Sequence, residues 1–266
     1  MRLNHVPAST GVQWVKLGIR TFFRQPLALA GLFFMFMLMV SILALVPLLG
    51  QALALALLPA ATLGLMAATR EAEKGQFPMP TVLASAFRAG KERRHAMLIL
   101  GGLYAVGSFV VMGITALLVG DPMAGITAAP ETQGEAGDLA EELLRQPELM
   151  QSMLISMVLY VPLGLLFWHA PALVHWHGIS PVKSLFFSAM ACWTNKAALL
   201  VYFLAWTGVF VAVSLGVVMI ASAFGGPAML AAIVFPVAML MSAIFFTSLY
   251  FTFRDSFVTD EGQTPA

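Results

Sequence analysis

The chain has 266 residues, 60% of them apolar and only 10% charged, with a mean hydropathy of +0.88. Water-soluble domains carry roughly 25% charged and 45–50% apolar residues, so an ordinary soluble fold is excluded. A net charge of +1, from 14 Lys and Arg against 13 Asp and Glu, leaves no global basic field to attract nucleic acid, and the single cysteine, Cys192, closes neither an internal disulfide nor a zinc site alone.

The first element is amphipathic. From Ser9, read as an N-cap, Val12, Trp14, Val15, Leu17, Ile19, Phe22 and Phe23 alternate with Lys16, Arg20 and Arg24. Residues 9–24 are too short and too polar to span a bilayer, and basic-aromatic helices of this kind lie in the headgroup plane. Apolar blocks at 27–46 and 50–69 follow, joined by a tight connection at Val46-Pro47. The amphipathic pattern returns over 80–94, with Val82, Leu83, Ala86 and Phe87 against Arg88, Lys91, Arg93 and Arg94, ahead of a block at 96–119. An acid-rich segment at 120–149, with a short helix expected around 139–144, separates it from the block at 150–174. A third amphipathic stretch, 180–195, sets Leu185, Phe186, Phe187, Met190 and Trp193 against Lys183, Asn195 and Lys196, and the blocks 197–223 and 228–253 complete the chain.

No block has a Lys, Arg, Asp or Glu in its interior. Each matches the roughly 20 residues that cross about 30 Å of hydrocarbon, and long unalternating runs of this kind make helices rather than barrel strands. The expected fold is all-α: one integral membrane domain over residues 1–266, a polytopic bundle of six transmembrane helices with about three cytoplasmic interfacial helices. The first block begins only near residue 27 and is of spanning length, so it reads as a retained anchor and not a cleaved signal peptide.

Orientation follows from the positive charges. Every Lys and Arg except Arg145 falls in the N-terminal segment, in the second or fourth connection, or in the tail, while seven acids crowd the third. Both termini are therefore expected in the cytoplasm and residues 120–149 in the periplasm. Three amphipathic segments, each ahead of a membrane hairpin, suggest three repeated units that could enclose a central cavity. The same pattern also arises from the ordinary interfacial preferences of basic and aromatic residues.

Small residues at four-residue spacing, Ala60, Gly64 and Ala68 in the second block and Gly208, Ala212 and Gly216 in the fifth, mark close helix contacts, within the bundle or between protomers, with internal packing the preferred reading. Pro162, Pro171 and Pro236 are expected to kink or open their helices. The stretch "WHAPALVHWHGISPVKS", residues 168–184, gathers His169, His175 and His177. Imidazoles invite a metal. However, His175 and His177 would point about 200° apart on a helix, and no nearby Cys, Asp or Glu supplies an anionic ligand, so neither a metal nor another cofactor is expected. The stretch reads as an elbow, with Gly178 stopping one helix and Pro181 starting the next.

"APALVHWHGISPVKSLFFSAMACWTNKAALLVY", together with "GVQWVKLGIRTFFRQP", resembles an uncharacterised family of six-helix bacterial inner-membrane proteins. More distantly the chain is similar to YciC-type proteins and to the membrane region of some glycerophosphodiester phosphodiesterases. The closer resemblance rests on Ala170, Pro171, His177, Gly178, Pro181, Lys183 and Ser188. It implies topology and inner-membrane location, and no catalytic residues.

No G-x-S-x-G, H-E-x-x-H or phosphate-cradling glycine loop is present, so no enzyme is expected and no catalytic residue is nominated. The preferred reading is a non-enzymatic protein that binds membrane lipid, anionic lipid included, or a protein partner or second copy, through its basic cytoplasmic face. Arg88, Lys91, Arg93 and Arg94, with His95 beside them, are the candidate headgroup residues, joined by His175, His177 and Lys183. Lys16, Arg20, Arg24 and Lys196 would complete a basic ring if three units surround one axis. The alternative is a transporter or channel for a small solute or lipid, although no ionisable residue sits at a midplane to register a coupling ion. A membrane enzyme acting on lipid ranks third.

Overall fold

A computed structural model describes residues 2–47, 49–119 and 147–258, with side chains of the last segment from residue 150. The acid-rich segment and its expected short helix lie outside the described residues, apart from the start of a helix at Pro147. Ten α-helices are described: α1 (Thr10–Arg24), α2 (Pro26–Ala44), α3 (Gly50–Glu73), α4 (Ser85–Arg88), α5 (Lys91–Val119), α6 (Pro147–Phe167), α7 (Ala170–His177), α8 (Pro181–Thr194), α9 (Lys196–Phe224) and α10 (Gly226–Ser256). A 3-10 turn, Pro80–Ala84, leads into α4. Two short strands, β1 (Arg2–Leu3) and β2 (Phe257–Val258), pair antiparallel and hold the two ends of the described chain together.

Six spans are long and apolar enough to cross a membrane: α2, α3, α5, α6 continued by α7, α9 and α10. Their outer faces carry large apolar side chains that no protein covers, Leu27, Leu117, Met157 and Met219 among them, as expected of surfaces meeting lipid. Three hairpins, α2–α3, α5–α6 and α9–α10, pack side by side.

The first two short segments depart from simple interfacial helices. Helix α1 is amphipathic, but its apolar face is closed by protein: Trp14, Val15 and Phe22 are buried. A Cβ added at Gly11 would stand 2.2 Å from the Ala198 carbonyl oxygen, and one at Gly18 would stand 2.4 Å from the Ser248 side chain. Small residues thus let α1 lie against the backbones of α9 and α10, crossing the end of the bundle. Ser9 precedes it without a side-chain capping bond; the amides of Thr10 and Gly11 bond instead to the Pro7 and Ala8 carbonyls. The expected helix 80–94 is divided, since Gly90 turns the chain at φ +97° and Lys91 already begins the membrane helix α5. A left-handed residue ends α4, so Lys91, Arg93 and Arg94 belong to the first turn of a spanning helix. Helix α8 runs Pro181–Thr194 and leaves Phe186, Met190 and Trp193 exposed.

The three short segments follow one cyclic rule. The 3-10 turn and α4 lie on α3, where Gly64 meets the Leu83 backbone; α8 lies on α6 and α7; α1 lies on α10. Each therefore rests on the closing helix of the preceding unit, with the first resting on the third. Ala60, Gly64 and Ala68 serve internal packing, as read from the sequence. Gly208 and Gly216 correct that reading: a Cβ at either meets nothing within 4 Å, so the stripe on α9 faces out of the molecule.

The fourth span is broken at Trp168 and His169, ahead of a new helix that carries Pro171 as its second residue. Proline removes the amide that would bond to Phe167 and crowds that carbonyl. Pro162 and Pro236 stay inside continuous helices.

Candidate functional site

The ends of α3, α7 and α10, the start of α5 and both described chain ends meet at one end of the bundle. Polar side chains, the buried Asn195 and a half-buried set around Arg254, tie them together. Asn195, at the start of α9, accepts the Val6 amide at 3.0 Å and donates to the Asn4 carbonyl at 2.9 Å. Trp14 Nε1 donates to Asp255 Oδ2 at 2.9 Å, while Arg254 pairs with Glu73 across helices and with Asp255 beside it at 2.8 Å. The Trp176 ring stands edge-on to Tyr250, with the Arg70 guanidinium over it at 5.5 Å.

The elbow closes as its sequence indicates. Gly178 adopts φ +65°, its amide bonds to Val174 and the following Ile179 amide reaches back to Leu173, a glycine-terminated helix end. Ser180 is extended and Pro181 starts α8. Between this elbow and the first turns of α5 lies a cleft of about 440 Å³ lined by Glu92, Arg93, His95, Ala96, Ile99, Val174, and the elbow residues 178–181. Its walls are mixed: the apolar Ala96, Ile99 and Val174 stand with one acid, Glu92, and two nitrogen bases, Arg93 and His95.

Of the residues nominated from sequence, Arg93 lines the cleft and lies within electrostatic reach of His175 and His177, which do not line it. Arg88, Lys91, Arg94 and Lys183 are exposed and carry no hydrogen bond or ion pair among the described residues, so they add charge to the surface without converging on the cleft. The three elbow histidines do not share a site. His169 is buried inside the bundle, with Nδ1 3.9 Å from Cys192 Sγ and Nε2 3.4 Å from Thr252 Oγ1, while His175 and His177 ride the end of α7. Among the described residues no three His, Cys, Asp or Glu side chains group as metal ligands.

Sequence reasoning missed Arg70. It counted only toward topology, yet it sits in the last turns of α3, acts on His175, and holds Nε and Nη2 buried without a hydrogen-bond partner. His175 Nδ1 is likewise buried and unpartnered. Unmet buried polar atoms beside a surplus of cationic groups are costly, and an anionic oxygen would satisfy them. The signal available in sequence was the pair of arginine–acid steps, Arg70-Glu71 and Arg254-Asp255, each at the end of a span.

Across all 266 residues, 100% of this chain and 97% of the relative, the protein is 36% identical to a probable inner membrane protein of Burkholderia thailandensis. No family model and no solved structure matches the chain. An identity of this size over the whole length places the chain in the family of that inner-membrane protein, in keeping with its six apolar spans.

Proposed function

We propose that this member of an inner-membrane protein family is a non-enzymatic lipid-binding protein, holding an anionic headgroup in the cleft beside Arg93 with both termini in the cytoplasm. One observation carries the reading: two basic side chains, Arg93 and His95, line one cleft at the end of the bundle where Arg70, over the Trp176 ring, and His175 also lie. A phosphate oxygen in the cleft would accept from the Arg93 guanidinium and supply negative charge beside it. Glu92 in the same lining disfavours a highly charged free anion.

The alternative, transport of a solute or lipid, has no such support. Pro171 is buried, Pro162 lines a groove open to the membrane side, and Pro236 lies on the exposed face of α10, so the three prolines share no path.

The test is retention of phosphatidylglycerol against phosphatidylcholine by the purified protein in detergent, read by native mass spectrometry. Arg93→Glu is expected to cut phosphatidylglycerol retention about tenfold, and the triple reversal of Arg88, Lys91 and Arg94 much less. Equal effects of the two variants, or none, overturn the reading.

A further inference from the structure

The three units meet along three seams, each between the closing helix of one unit and the opening helix of the next. Two are filled by protein. At the α3–α5 seam a Cβ on Gly101 would run into the Ala56 carbonyl oxygen, and at the α10–α2 seam the Phe246 ring packs, tilted, against Phe33 at 5.6 Å. The third, between α6 and α9, is bridged mainly by the Trp168 ring against Phe203 at 5.4 Å, and beside that contact it stands open.

The opening is a groove of about 570 Å³, walled by Pro162, Leu165 and Leu166 of α6, by Ala189 of α8, and by Leu199 and Phe203 of α9. Nearly all of that wall is apolar. The one charged group on it is Lys196, at its mouth, where Nζ lies 4.6 Å from the centroid of the exposed Trp193 ring. From Lys196 to Phe203 the groove follows α9 for roughly 10 Å, about a third of the hydrocarbon thickness. The geometry is that of an amphiphile, a cation with an aromatic flank at headgroup level above an apolar slot. No acid lines the groove to neutralise the lysine.

We propose that this seam is a second binding site, for an anionic phospholipid whose acyl chain fills the groove and whose phosphate rests on Lys196. Protein fills the two sister seams; here lipid completes the ring of helices. The site is separate from the Arg93 cleft and stands or falls without it, since α8 borders the cleft with Pro181 and the groove with Ala189, Cys192 and Trp193.

The full-length protein in detergent, titrated with phosphatidylglycerol and with phosphatidylcholine, distinguishes the two. Lys196→Glu is expected to weaken phosphatidylglycerol retention about tenfold and to leave phosphatidylcholine unchanged. Ala189→Phe, which fills the slot, is expected to lower retention of both. Both variants are compared at matched melting temperature and monodispersity, with Lys196→Gln as a milder replacement should the reversal misfold. A phosphatidylglycerol bearing a diazirine on its acyl chain is expected to label peptides covering 162–166 or 189–203. Labelling confined to other spans, or full retention by both Lys196→Gln and Ala189→Phe, overturns the proposal. Loss in Arg93→Glu with no loss in the Lys196 variants sinks the groove alone, and the reverse sinks the cleft alone.

Discussion

The hydroxyl of Ser188 is spliced into the helix bond that His169 would otherwise make. In an unbroken helix the His169 amide bonds to the Leu165 carbonyl; here that amide donates to Ser188 Oγ at 2.9 Å, and the hydroxyl donates to Leu165 at 2.8 Å. The break that Pro171 forces in the fourth span is thereby satisfied from α8, which is docked by the same two bonds. Unmet backbone groups this deep in the bundle cost roughly 1–3 kcal/mol. Ser188→Ala is therefore expected to destabilise the protein by about that amount, seen as a lowered melting temperature in detergent. Ser184→Ala, which loses only a bond to Pro181 within its own helix, is expected to cost less. Equal costs would show that the splice is not what holds α8.

Helix α1 gives a second contrast. Methyl groups at Gly11 and Gly18 would run into the Ala198 backbone and into Ser248, whereas Gly208 and Gly216 face open space. Gly11→Ala and Gly18→Ala are each expected to destabilise by roughly 2–3 kcal/mol through overpacking. Gly208→Ala and Gly216→Ala are expected to be neutral or to stabilise by up to about 1 kcal/mol through helix propensity. Thermal unfolding of the four variants in one detergent reads the difference. A loosely associated surface helix would give four similar values.

These contrasts show what the sequence made legible. The six spans were readable because bilayer thickness fixes their length and lipid forbids charge inside them, so hydropathy alone decides. The elbow was readable because Gly178 and Pro181 have narrow backbone demands. The docking of α1 was not, because the hydrophobic face that inserts into headgroups is the same face that packs on α9 and α10, and only the close approach at Gly11 and Gly18 tells them apart. The basic cluster was legible as composition and not as geometry. Gly90 separates Arg88 from Arg93 by a change of helix, and only the meeting of α3, α5 and α7 sets Arg70 and Arg93 on His175.

The Arg254–Glu73 pair joins α10 to α3 at the same end, with both side chains about 30% exposed. Partial exposure caps the worth of such a pair, because water screens it and each long side chain loses rotamer freedom. A double-mutant cycle of Glu73→Gln and Arg254→Met is expected to give a coupling of about 0.5–1 kcal/mol. A coupling of several kcal/mol would mean that the pair is far drier than its exposure indicates.

Cys192 is buried against His169 and the Leu165 carbonyl, and burial pushes its thiol up to about 12. At pH 8 only about one part in ten thousand is thiolate, the species that reacts. Maleimide labelling of the folded protein at pH 8 is expected to be slower than that of the denatured chain by orders of magnitude. The sign for stability follows: a thiol whose pKa is raised on folding favours the fold fully below about pH 9, and that advantage is lost as pH rises toward 12. Fast labelling in the native state would show that the groove wall opens around the cysteine.

The last prediction concerns sidedness. The strand pair of the two chain ends, the Arg254–Glu73 contact and the Arg93–His175 approach bring the N-terminus, the second connection, the elbow and the C-terminus to one end of the bundle. With α8 and the start of α9, these segments carry every Lys and Arg except Arg145, and the retention of positive charge predicts that this end is cytoplasmic. Alkaline phosphatase fused at Gly134 is therefore expected to be active in a bacterial host and the same reporter fused after Val258 inactive, with a green fluorescent protein showing the opposite pattern. Activity at both sites, or at neither, would break the six-span topology. Activity only at the C-terminus would keep the fold, invert it, and place the Arg93 cleft where the leaflet and its anionic lipids are those of the other face.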